Sequence, residues 1–151
     1  MLDLLSLRID FATLIVAVVG LSATYWQLVK VKESGWSAVH STLCDQSFEL
    51  IKLCMERPSL YDYFYHGKIM TDEETDKVRV YLVSEAFANF MEQLILQKGS
   101  LPEAQWKVWE RFVKSTLESS SIVGDFILDH NGWYSEDLVK VVDNSRTMPQ
   151  Q

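Results

Sequence analysis

The stretch that decides the architecture is FATLIVAVVGLSATYWQLV, residues 11–29, held between Asp10 and Lys30. Its nineteen residues carry no charge, and fourteen of them are apolar. As a helix rising roughly 1.5 Å per residue it is about 28 Å long, close to the thickness of a bilayer core. Tyr25 and Trp26 stand at its far edge, with Lys30 and Lys32 just beyond. Amphipathic rings suit headgroup depth, and lysine stems carry their charge past it. These four are the expected membrane-interface residues. Thr13, Ser22 and Thr24 can return their hydroxyls to the helix backbone, so none opposes insertion. Gly20 and Thr24, four apart, offer a small face for packing against another helix in the membrane.

Three other readings meet the same stretch. A cleaved signal peptide wants a basic start and a small-x-small cleavage site. Here the start holds Asp3, Arg8 and Asp10, and Leu21-Ser22-Ala23 is a poor site. A buried core helix is usually shorter or carries a charge within such a length. An interfacial helix needs a charged face, which is missing. The sequence therefore predicts a span over 11–30, after a short head over 1–10. Two lysines follow the span and one arginine precedes it. The positive-inside rule then places the carboxy-terminal domain in the cytoplasm, and two cysteines without a disulfide framework suit a reducing compartment.

Outward from the span, the chain has 151 residues with 14 Lys+Arg against 21 Asp+Glu, a net charge of −7. From Lys30 onward there are 13 basic and 19 acidic residues. That balance argues against nucleic acid, whose binders cluster Lys and Arg. Hydrophobic residues at 48% argue against a disordered chain. Six Gly and three Pro are few for a turn-rich β domain.

The apolar residues beyond Lys30 recur at helical spacing. In the stretch Trp36 to Glu56, Cys44, Phe48, Ile51 and Met55 make one face, which Leu43, Leu50 and Cys54 widen. Ser34-Gly35 either breaks the helix or is crossed by it as a stalk. Arg57-Pro58 ends it, and Pro58 suits the first turn of a short helix over 60–66, closed by Gly67. Thr71 and Glu74 form a capping box for a helix reaching Lys98, with Gly99 as its C′ residue. Val80, Val83, Phe87, Phe90 and Leu94 give it one face. Ser100 and Glu103 form a second box, before a helix carrying Trp106, Trp109, Val113 and Leu117. Another carries Ile122, Val123, Phe126 and Ile127 and stops at Asn131-Gly132. Ser135 caps the last, through Leu138, Val139 and Val142. The expected fold is all-α: one amino-terminal transmembrane helix, then a compact acidic bundle of about five helices over 31–143, and a disordered tail over 144–151.

Candidate chemistry is thin. His40 and Cys44 are one turn apart, but zinc wants three or four ligands and no further paired spacing exists. Cys44 and Cys54, on one helix, are separated by about 280° and ~15 Å, beyond disulfide reach. Glu85, Asn89 and Glu92 share a strip that either does acid–base work or simply packs helices. Di-iron bundles need Glu-x-x-His pairs, which are absent. Tyr61, Tyr63, Tyr65 and His66 crowd rings with polar tips into one short helix, as a partner or ligand surface or as a plug for the bundle. Trp133 and Tyr134, after a glycine, read as a loop anchor or a second contact surface. No phosphate loop or nucleophile signature occurs. No catalytic, cofactor or metal residue is assigned.

Leu50-Ile51 running into Glu56-Arg57-Pro58-Ser59-Leu60-Tyr61, the Val78 to Gln93 helix, Trp106-Lys107-Val108-Trp109-Glu110 and Trp133-Tyr134-Ser135 together resemble a group of uncharacterised bacterial proteins. These have one amino-terminal membrane helix and a small helical domain. The resemblance implies an all-helical, membrane-anchored bacterial protein and supplies no site residues. The functional expectation is an accessory or interaction protein of a larger membrane complex, with the lipid bilayer and other protein subunits as partners. A membrane-tethered sensor with a small-ligand pocket is the alternative, and an enzyme using Glu85 or His66 is a third reading.

Overall fold

The computed structural model describes residues 2–70 and 76–147, with side chains from Leu14 onward. Among them the secondary structure is all helical. There are six α-helices: α1 (Leu2–Glu56), α2 (Pro58–Tyr65), α3 (Lys77–Gln97), α4 (Glu103–Ser119), α5 (Ser121–Asp129) and α6 (Glu136–Thr147). Short 3-10 turns follow α3 and α5. The chain divides into two compact units, residues 1–38 and 39–151.

The first unit is helix alone. α1 runs through Ser34-Gly35 without a break, as the stalk alternative required. The described aliphatic residues of its apolar stretch lie open, among them Leu14, Val16, Val19 and Leu21. No part of the apolar window is covered by protein. One helix is thus long and apolar enough to cross a membrane.

The second unit is a compact helical bundle. α3 packs on α5 and α6, α4 packs on the same two, and α2 rests on α4 and α5. α3 turns Val80, Val83, Phe87, Phe90, Met91 and Leu94 inward, the face its spacing predicts. Aromatic rings fill the centre. Phe64 stacks on Phe87 at 5.0 Å, and Phe90 meets Trp109 edge-on at 5.8 Å. Such pairs add about 0.5–1.5 kcal/mol each beyond the area they bury.

Several local expectations change. The inward face of α1 is Leu43, Leu50 and Cys54, with Val39 packed beside them. Cys44, Phe48, Ile51 and Met55, the expected centre of that face, lie outside and exposed. The helix is turned about 100° from the expected setting, at 100° per residue. The expected C′ role of Gly99 fails, because α3 tightens into a 3-10 turn and Gly67 is the only positive-φ glycine among the described residues. Ser100 does not cap α4. Leu101 is buried and extended, which moves the cap to Pro102, whose carbonyl accepts from the amides of Gln105 and Trp106 at 2.9 Å. The expected capping box at Thr71 and Glu74 lies outside the described residues. The last helix reaches Thr147, so residues 144–147 are helical where a disordered tail was expected.

Other signals hold. Pro58 opens α2, and Gly67 (φ +67°) turns the chain after it. A side chain at Gly67 would meet the Ser119 carbonyl at 3.3 Å. Ser119 Oγ donates to the Phe64 carbonyl at 3.2 Å, fastening the end of α2 to the end of α4. Ser135 Oγ accepts from the Leu138 amide, the cap its position predicts.

Candidate functional site

The residues expected at a membrane interface are presented outward on the first unit. Tyr25 and Trp26 are about two-thirds exposed, and Lys30 Nζ lies 4.1 Å from the Trp26 ring centre. Lys32 is exposed as well. Thr24 Oγ1 donates to the Gly20 carbonyl at 2.9 Å, and Ser22 Oγ to that of Val18 at 2.8 Å. Both hydroxyls are therefore satisfied inside the helix, and Gly20 has open space where a side chain would be.

The aromatic cluster of α2 divides. Tyr63 is fully buried, and its hydroxyl accepts from Lys68 Nζ at 2.8 Å. This removes Tyr63 from the expected partner surface and gives it the plug role. Tyr61 stays open at 44% and stacks on half-buried Tyr65 at 4.6 Å. His66 meets Tyr61 edge-on at 5.0 Å, and its Nδ1–H donates to Asp62 at 2.9 Å. Both His66 and Asp62 are more than half exposed.

On the α3 strip, Glu92 joins two helices. Glu92 accepts from the Ser135 amide at 3.1 Å and from Ser135 Oγ at 3.0 Å, pinning the start of α6 to α3. Glu85 is half-buried and Asn89 exposed. Tyr134 points its hydroxyl inward, where it finds no hydrogen-bond partner. Burial pushes its pKa up, and the negative field of Glu85 and Glu92 adds to the effect. Trp133, by contrast, is 68% exposed. Its ring lies 4.5 Å from His130, which stacks on Phe126 at 4.3 Å. Tyr81, Glu85, Phe126, His130 and Trp133 border a shallow hollow of about 450 Å³.

His40 Nε2 stands 3.7 Å from Cys44 Sγ, as their spacing predicts. Among the described residues no three His, Cys, Asp or Glu side chains gather in a way that could hold a metal. Cys54 is buried, which raises its thiol pKa.

Sequence reasoning missed a cleft of about 470 Å³ between the end of α3, α4 and α6. Trp106, Val113, Leu117 and Val141 supply apolar lining, while Lys98, Lys114, Glu110 and Asp137 give it charge of both signs. Lys98 Nζ lies 5.2 Å from the Trp106 ring centre. Volume and lining suit a small amphipathic molecule. The cleft was not legible because its lining comes from three helices that are separate in sequence.

No protein-family model, curated protein or solved structure matches this chain.

Proposed function

We propose that this chain is a single-pass, membrane-anchored helical interaction protein, a non-catalytic subunit or scaffold of a larger membrane complex. One observation carries the reading. A full bilayer's length of aliphatic helix has no protein cover, and an apolar surface of that extent calls for a non-aqueous environment. The unbroken course of α1 through Ser22-Ala23 to Glu56 favours a permanent anchor over a leader that is cut away. Tyr25, Trp26, Lys30 and Lys32 mark the interface, and the acidic unit follows on the cytoplasmic side. The bacterial origin rests on the sequence resemblance. Extraction of native membranes with alkaline carbonate is the test. Retention in the pellet supports the anchor, and release of the intact chain overturns it. Purification in mild detergent should then bring further subunits along; migration only as a lone chain counts against the scaffold role.

A second reading, a tethered sensor, draws support from the 470 Å³ cleft beside Trp106. It predicts that a small amphipathic metabolite raises the melting temperature of the detergent-solubilised chain by linkage. Flat shifts across a broad metabolite panel remove it.

A further inference from the structure

Trp133 is 68% exposed, so the bundle gains little from burying its indole. The ring instead closes a row. Phe126 stacks on His130 at 4.3 Å, and His130 lies 4.5 Å from Trp133. His130 Nδ1–H donates to the Phe126 carbonyl at 2.9 Å, which fixes the imidazole in that row. From α3 come Tyr81, edge-on to Phe126 at 6.1 Å, and Glu85 one turn further on. Together they border the shallow hollow of about 450 Å³.

Glu85 gives the hollow its chemistry. It is half-buried and has no hydrogen-bond or ion-pair partner among the described residues. Its negative field reaches the Tyr134 phenol. Lys77 also borders the hollow, but two turns before Glu85, about 12 Å along the helix axis at roughly 1.5 Å per residue. A carboxylate without a counter-charge beside aromatic rings favours a cation. The kind of cation follows from the walls. A primary ammonium carries three N–H donors and a guanidinium five, each needing an acceptor. The surface that this hollow presents is mostly carbon. A quaternary ammonium has no N–H to satisfy, and it spreads its charge over methyl groups that lie against rings.

We infer that the hollow binds a trimethylammonium group, with Trp133 and Tyr81 as aromatic walls and Glu85 as the counter-charge. Every residue involved belongs to the second unit, so the inference is independent of the membrane anchor. The group arrives either on a free solute such as choline or on the headgroup of a choline lipid. Both present the same chemistry to the hollow.

The test uses the full chain with isotope-labelled tryptophan, solubilised in dodecyl maltoside. The nuclear magnetic resonance signal of the Trp133 indole N–H is identified by its loss in Trp133→Phe and followed on titration with choline chloride. A saturable shift is expected. Dimethylbutanol, the uncharged analogue with carbon in place of the nitrogen, should bind roughly tenfold more weakly, because the rings attract the charge as well as the methyl groups. Glu85→Gln should weaken choline roughly fivefold, the loss of one nearby solvent-screened charge, and leave dimethylbutanol unchanged. Equal affinity for the two analogues reduces the hollow to a plain apolar patch and overturns the inference. So does a Trp133 signal that choline never moves, or choline binding undiminished in Glu85→Gln. Nanodiscs then separate the sources. A Trp133 shift in phosphatidylcholine discs but not phosphatidylglycerol discs, abolished by Glu85→Gln, assigns the group to lipid. Matching spectra in both discs, with free choline titrating in each, assign it to a solute. None of these outcomes bears on the anchor, which carbonate extraction tests separately.

Discussion

At the residue scale, burial decides chemistry that the sequence leaves even. The two cysteines are both free, yet one is exposed and the other enclosed. A maleimide at neutral pH should label one thiol per chain in the folded protein and the second only in denaturant, counted by intact mass. Fast labelling of both would contradict the buried setting of Cys54. Tyr134 makes a second case. Its phenol pKa is raised, chiefly by burial and then by Glu85 and Glu92. Cys54 and Tyr65 shift in the same direction. The folded chain holds these protons more tightly than the unfolded chain. Their contribution to stability is complete below the ordinary thiol value of 9.0 and falls as pH rises through the raised ones. Far-UV circular dichroism should therefore show alkaline unfolding. Tyr134→Phe, which loses no hydrogen bond because the hydroxyl has no partner, should move that transition to higher pH. An unchanged transition would mean that Tyr134 is not among the groups driving it.

At the scale of the element, the helices were largely legible and their rotation was not. Pro58, Gly67 and Ser135 mark boundaries because each acts through its own backbone geometry or a partner within one turn. The face of α1 is different. Leu43, Leu50 and Cys54 make one apolar row, and Cys44, Phe48, Ile51 and Met55 make another beside it. Periodicity identifies both, but only the neighbouring helices determine which is covered. The same reason hid the cleft at Trp106, since a cleft belongs to several helices at once. Paired truncations check the rotation. Leu50→Ala should cost about 2–4 kcal/mol, the usual range for a buried leucine. Ile51→Ala, one residue on, should change stability by less than about 0.5 kcal/mol. Urea denaturation of the detergent-solubilised chain measures both, and equal costs would place the bundle's face elsewhere.

At the scale of the whole molecule, a long exposed aliphatic helix and an acidic bundle with a well-filled interior make opposite demands on solvent. The bundle's aromatic centre around Phe87, Phe90 and Trp109 is covered by protein. The apolar stretch of α1 is not. A single Val18→Arg, at a position 55% exposed, places a guanidinium near the middle of that stretch. Insertion should weaken by about 2.5–3.5 kcal/mol. The variant should shift toward the carbonate-soluble fraction while its bundle keeps the helical signal and melting of the parent. Unaltered pelleting would argue that the stretch does not sit in lipid.

The length of α1 also bears on how the protein is made. Fifty-five residues of helix leave the ribosome before any of the other five helices exists. At roughly 5–20 residues per second, the rest of the chain takes about five to twenty seconds to follow. On the anchored reading, the greasy section is handed to the insertion machinery within that interval. Leu43, Leu50 and Cys54 are then among the first core residues synthesised and must wait for their covering, open to chaperones until α3 to α6 arrive.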